Sequence, residues 1–257
     1  EERLGGEILN RVGRDVTLTA LGQVLFERAR ELVGFKRRTI AALDGFRGVV
    51  QGELRVGGSN IPGEYILPRR IGAFVKKYPR VKPILRIGDS AEIVQALLEG
   101  EIEIGYIGFK VRDRRLALRK IWKDEMVAAV PGRHPWAKKK AIGLKEVAQE
   151  GFVSREGGSG TLRSLSRLLA RRGHDPKRLL NVIMELGSTA AVKEAVIAGY
   201  GVSILSRTSI QREIDDGLLR GVPIRGLKLV RDFYQAVHRR RNLSPVSQAF
   251  MLFARGR

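Results

Sequence analysis

Between Glu53 and Ile107 the chain runs Glu53-Leu54-Arg55-Val56, Ile66 to Lys77, Val81 to Ile87, Ala91 to Leu98 and Ile102-Glu103-Ile104-Gly105-Tyr106-Ile107. The first, third and fifth pieces read as strands, the second and fourth as helices. A β-α-β-α-β order implies parallel strands joined by right-handed crossovers. Leu116 to Val130 then reads as long extended chain, ended by the turn-rich Pro131-Gly132-Arg133-His134-Pro135-Trp136. Beyond that break the alternation returns. Phe152–Ser154, Val182–Leu186 and Val202–Leu205 read as strands; Leu144–Gln149, Thr161–Arg172, Thr189–Ala198 and Ile210–Asp215 read as helices. The tail closes with strand around Leu229–Val237 and a helix from about Pro245 to Ala254. The expected class is α/β: two α/β subdomains joined by two crossing strands, the chain returning to the first.

Composition narrows the function. The chain has 257 residues, 43% of them hydrophobic, so it can bury a real core. Lys and Arg number 48 against 27 Asp and Glu, a formal charge of +21. Such a field draws polyanions at long range, nucleic acid first among them; a charge-rich, heat-adapted surface is the other reading. Cysteine is absent, which excludes disulfides, thiolate metal sites and a cysteine nucleophile. His134, His174 and His238 are far apart and lie beside no metal-spaced carboxylates, so neither a metal nor another cofactor is expected. No apolar run has the length of a membrane span and no signal peptide is visible. A cytoplasmic location, without membrane association, is the resulting expectation.

The first 50 residues differ from the rest. Apolar residues at Leu21, Val24, Leu25, Ala29, Leu32, Val33, Ile40, Ala41 and Phe46 recur at spacings of mostly three and four, uninterrupted by proline. That predicts a long amphipathic helix from about Thr19 to Phe46, with Thr19 as its cap. Such a helix packs either on a second copy of itself or on its own domain. Ahead of it stand Leu4-Gly5 and the run Ile8-Leu9-Asn10-Arg11-Val12-Gly13-Arg14-Asp15-Val16-Thr17-Leu18-Thr19-Ala20-Leu21-Gly22.

That run resembles the end of the winged helix-turn-helix of LysR-type transcriptional regulators: a recognition helix closed by Leu-Gly, an arginine-bearing wing, and a linker helix. Leu9 stands where the family usually has Phe, and Leu21 where Ala is common. The likeness extends over the whole chain, implying two Rossmann-like α/β subdomains related to type 2 periplasmic binding proteins. It divides the chain into a headpiece remnant (1–18), a linker or dimerisation helix and hinge (19–50) and an effector-binding domain (51–257). Subdomain I would hold about 51–130 plus 227–257, and subdomain II about 131–226. Opening inside the motif, the chain would lack most of the DNA-reading headpiece. Arg11 and Arg14 on the wing are the expected DNA contacts, reaching phosphate or the minor groove, or else a solvated surface pair.

The ligand signal lies in three loops. Ser154-Arg155-Glu156-Gly157-Gly158-Ser159-Gly160-Thr161 follows a strand and opens a helix, where N–H groups, glycines and hydroxyls suit an oxyanion. Taken alone, it reads equally as a capped helix after a flexible turn; it lacks the Lys-Ser/Thr of a Walker loop. Gly57-Gly58-Ser59-Asn60-Ile61-Pro62-Gly63-Glu64-Tyr65 and Gly187-Ser188-Thr189 occupy equivalent places, with Ile107-Gly108 as floor. Open α/β sheets bind ligands at the carboxyl ends of their strands. The expected ligand residues are therefore Ser59, Asn60, Ile61, Ile107, Gly108, Arg155, Gly158, Ser159, Gly160, Thr161, Gly187, Ser188 and Thr189, although each Ser or Thr singly also reads as a helix cap. The expectation is a regulator, not an enzyme. A small anionic effector would bind between the subdomains, DNA would be held through the full headpiece, and copies would pair as homodimers or homotetramers. The alternative is a solute-binding protein for an oxyanion or small carboxylate, which has no use for a wing and linker helix.

Overall fold

The computed structural model describes residues 1–12, 15–46, 50–157 and 159–256. After a short 3-10 turn at Glu2–Leu4, β1 (Leu9–Val12) and β2 (Asp15–Leu18) form an antiparallel hairpin with Arg11 opposite Val16. Helix α1 (Ala20–Phe46) follows directly. Thr19 starts it: its hydroxyl accepts the Gly22 N–H at 2.9 Å and donates to the Glu7 carbonyl at 2.6 Å. A Cβ on Gly22 would collide with the Ile8 carbonyl, so this close approach of helix and hairpin needs glycine. Much of the apolar face of α1 is uncovered, with Leu32, Phe35 and Leu43 each more than 60% exposed.

The first α/β unit contains β3 (Gly52–Ser59), a π turn at Pro62–Ile66, α2 (Leu67–Lys77), β4 (Val81–Gly88), α3 (Ser90–Glu99) and β5 (Ile104–Ile107). Strand β3 lies between β4 and β5, parallel to both. Pro83 sits on β4, at the free edge, where its missing N–H breaks no outer ladder. Helix α3 is held at its start by a reciprocal capping box: Asp89 accepts the N–H groups of Ala91 and Glu92, and Glu92 accepts that of Asp89. Its inner face buries Ile93, Ala96 and Leu97.

Strand β6 (Leu116–Pro131) leads into the second unit: α4 (Leu144–Gln149), β7 (Phe152–Arg155), α5 (Gly160–Ala170), α6 (Pro176–Leu179), β8 (Val182–Leu186), α7 (Thr189–Ile197), β9 (Ser203–Ser206), α8 (Arg207–Asp215) and β10 (Leu219–Val222). The chain returns through β11 (Val230–His238) and ends in α9 (Pro245–Phe253), which packs Val246 and Phe250 into the first core. Strands β6 and β11 are the two crossing strands. From Leu116 to Glu125, β6 pairs with β11 in the first sheet; from Met126 it pairs with β9 and β10. Met126 to Val130 are all buried because that half is covered on both faces, Met126, Ala128 and Val130 in one core and Val127 and Ala129 in another.

Three expectations shift. The strand at Glu53–Val56 continues to Ser59, so Gly57 and Gly58 are strand rather than loop. A Cβ on Gly58 would come within 2.7 Å of the Gly63 backbone, and one on Gly57 would collide with Ile102. These glycines therefore serve close packing. The hand-over between sheets lies inside β6 at Glu125–Met126, earlier than the Pro131 turn, because one continuous strand serves both sheets. The short edge strand β10 carried no distinct sequence pattern and was not expected.

Candidate functional site

The carboxyl ends of β3 and β5 face the start of α5 across the crossing strands. A pocket lies there, walled by Ser59, Asn60, Ile61, Pro62, Ser90 and Gly108 from the first unit, by Gly160 and Thr161 from the second, and by Arg231 and Phe233 of β11. The empty space is about 290 Å³ including the mouth, and its tightest part admits the centre of a water-sized sphere over only about 20 Å³. That suits a group of a few heavy atoms, since larger ligands occupy about 300–1,000 Å³. The π turn at Pro62–Ile66 borders this wall, and π turns often accompany functional sites.

The centre of the site is a buried ion pair on directly opposed residues of the crossing strands. Arg231 donates from Nε to Oδ2 of Asp124 at 2.8 Å and from Nη1 to the Thr161 hydroxyl at 3.3 Å. Its Nη2 is buried without a hydrogen-bond partner. Burial pushes the guanidinium below its ordinary pKa, and the neighbouring Asp124 carboxylate partly offsets this. Asp124 is itself fully committed: Oδ1 accepts the hydroxyls of Ser206 at 2.6 Å and Thr208 at 3.1 Å. The pocket therefore holds one cation whose charge is matched behind it and one N–H group still unmatched. Removing either ion would strand the other in low dielectric.

The expected residues divide into two groups. Ser59, Asn60, Ile61, Gly108, Gly160 and Thr161 share the pocket wall. Ile107 is fully buried with Ile93, Leu97 and Ala236, and Ser159 lies beneath the start of α5, where its hydroxyl accepts the N–H groups of Thr161 and Leu162. Arg155 holds the loop after β7 to the loop after β8. It clamps Glu156 with two N–H groups at 2.7 and 2.8 Å and donates to the Thr189 hydroxyl at 2.6 Å and more weakly to the Gly187 carbonyl at 3.5 Å. Ser188 caps α7 through the Ala191 N–H at 3.0 Å, and it and Gly187 are exposed. Gly158 and Arg14 lie outside the described residues, as does the side chain of Arg11.

Sequence reading missed Ser90, Phe233, Asp124 and Arg231. A signal existed for the last. Strand alternation puts Arg231 in phase with Phe233 and Gln235, and all three are buried. Ser90 accepts the Gly108 N–H at 3.3 Å and so ties α3 to the pocket floor.

Contacts also bridge the two units around the pocket. Arg163 of α5 stands 3.9 Å from Asp89, at the start of α3. The Lys193 ammonium of α7 lies 5.3 Å from the centre of the Tyr65 ring, while pairing with Glu213 at 2.5 Å. A larger groove, about 570 Å³, runs between α1 and the first unit, lined by Phe26, Val33, Ile84 and Ile102. Arg30 crosses it to Glu99 at 2.7 Å and Glu101 at 2.8 Å. Among the described residues no helix is long and apolar enough to cross a membrane, and no cluster of side chains could hold a metal ion.

Comparison with known proteins agrees with this architecture. The family model of the LysR substrate binding domain matches residues 47–257. The transcriptional regulator CysL of Bacillus subtilis (strain 168) is 32% identical over 214 residues, covering 83% of this chain and 70% of that protein. The regulatory domain of CcmR from Synechocystis PCC6803, solved in complex with 2-PG, is 27% identical with a TM-score of 0.70, covering 79% of this chain and 96% of that one. An OxyR from Corynebacterium glutamicum shares the fold over 98% of this chain and 77% of its own, at 18% identity and a TM-score of 0.72. With its two α/β units, its crossing strands and this match over most of its length, the chain belongs to the LysR substrate-binding domain family of LysR-type regulators.

Proposed function

We propose that this chain is the sensing part of a ligand-responsive transcriptional regulator, and that a small anionic effector binds in the cleft between its two α/β units. One observation carries the reading: Arg231 lines the pocket with a buried, unmatched N–H group where residues of both units meet. A ligand there touches Ser59 and Asn60 on one side and Gly160 and Thr161 on the other, so it favours one relative arrangement of the units. A preference of that kind is what a population shift requires. The CcmR domain solved with 2-PG supports the reading by likeness.

The division into headpiece remnant (1–18), linker helix (19–50) and effector domain (51–257) belongs to the same proposal. The uncovered apolar face of α1 packs on a second copy of the chain, and Arg11 and Arg14 contact DNA phosphate in the full-length protein, which acts in the cytoplasm. The site binds rather than catalyses. None of the residues lining it is a histidine or a carboxylate, so a hydroxyl there has no base beside it.

Thermal unfolding against a panel of small anions tests the reading, because a ligand that binds only the folded form raises the midpoint by mass action. A saturable rise from at least one anion is expected, and its loss in the Ser159→Ala, Thr161→Ala double variant. A rise that survives the double variant unchanged would place the site elsewhere.

A further inference from the structure

Resting on the cleft reading, we infer that the group recognised in this pocket is an oxyanion carrying no proton, a sulfate or carboxylate group rather than a phosphate that keeps a hydrogen. The wall is built of donors. Arg231, more than nine-tenths buried, leaves Nη2 without a partner. Ser59 and Asn60 add a hydroxyl and an amide. Gly160 and Pro62 place the first turns of two helices against the same space, and helix N-termini carry positive partial charge.

Acceptors, by contrast, are already taken. No residue of the wall is Asp, Glu or His. Asp124, which faces Arg231 from β6, receives Arg231 on Oδ2 and two hydroxyls on Oδ1. The Thr161 hydroxyl oxygen receives Nη1 of Arg231, and that of Ser90 receives the Gly108 N–H. A ligand oxygen with lone pairs only satisfies this wall. A ligand O–H points a donor at donors, and burying a donor without a partner is costly. The charge balance adds to the requirement. Asp124 already neutralises Arg231, so no surplus cation is present to hold a poorly matched anion by attraction alone.

Calorimetric titration of the unmodified chain near neutral pH tests this with four probes: sulfate, acetate, phosphate and fluorophosphate. Sulfate, acetate and fluorophosphate are fully deprotonated there; phosphate retains at least one proton. The better of sulfate and acetate should bind at least tenfold tighter than phosphate, and which one leads identifies a tetrahedral or planar group. Fluorophosphate should follow sulfate, since it shares the tetrahedral shape and lacks the proton. Phosphate binding as tightly as the better of the two would overturn the inference while leaving the cleft reading intact. Fluorophosphate binding as weakly as phosphate while sulfate binds tightly would overturn it too, because discrimination would then follow phosphorus and not the proton. No measurable binding by any of the four would remove both the inference and the support for an anion in this cleft.

Discussion

Two arginines of this protein are buried to nearly the same degree, Arg155 at 4% and Arg231 at 8% exposed, and they behave differently. Each meets a carboxylate and a threonine hydroxyl. Arg155 pairs with the adjacent Glu156, whose side chain is a third exposed, and all three guanidinium nitrogens have partners. Arg231 pairs across strands with the fully buried Asp124 and keeps one nitrogen unmatched. The first arrangement closes on itself and fastens two loops together. The second is complete on its hinge side and open on its pocket side. Burial and charge alone therefore do not mark a binding arginine; an incomplete set of hydrogen bonds beside a cavity does.

The contrast is most exposed to failure at Asp124. Asp124→Ala leaves Arg231 charged and uncompensated between the crossing strands, and stability to denaturant should fall by about 3–5 kcal/mol. A loss below 1 kcal/mol would mean the pair is not the buried hub described here. Arg155→Ala should cost less, about 1–3 kcal/mol, since its carboxylate partner can turn to water. Its sulfate affinity should stay within about twofold of the original, the wall being untouched. A tenfold loss of affinity there would erase the distinction between the two arginines. Arg231→Lys keeps the charge beside Asp124 but removes the planar fork, and should weaken sulfate binding about tenfold in calorimetry. Unchanged affinity would remove Nη2 from the site. The smallest effects come from the two helix caps. Ser159→Ala should lower thermal stability by about 1 kcal/mol, while the exposed Ser188→Ala should cost about half of that. Equal losses would show that burial of the cap is irrelevant.

Part of the candidate site was legible because anion loops leave a local trace. Ser59, Asn60, Gly160 and Thr161 lie where strands end and helices begin, a pattern of small and hydroxyl residues visible in one dimension. Arg155 carried the same trace, yet its reach to Thr189 and Glu156 depends on how two loops approach each other, and no spacing reports that. Arg231 and Asp124 are separated by 107 positions. Only the register of β6 against β11 makes them neighbours, and a charged residue in a strand reads by default as a solvent-facing one.

The sequence by itself determined the class of fold. Alternation between strand and helix periods from Glu53 to Ile107, repeated after Pro131, leaves few ways to bury both faces of a parallel sheet. It also determined the long helix, through the three-and-four spacing that starts at Leu21 and the cap at Thr19. The tertiary structure decided the rest: that β6 serves both sheets, that Gly57 and Gly58 are strand, and that one buried cation is left with an unmatched donor. These depend on contacts between residues distant in the chain, where the free energy of a group is set by what surrounds it and not by its neighbours in sequence.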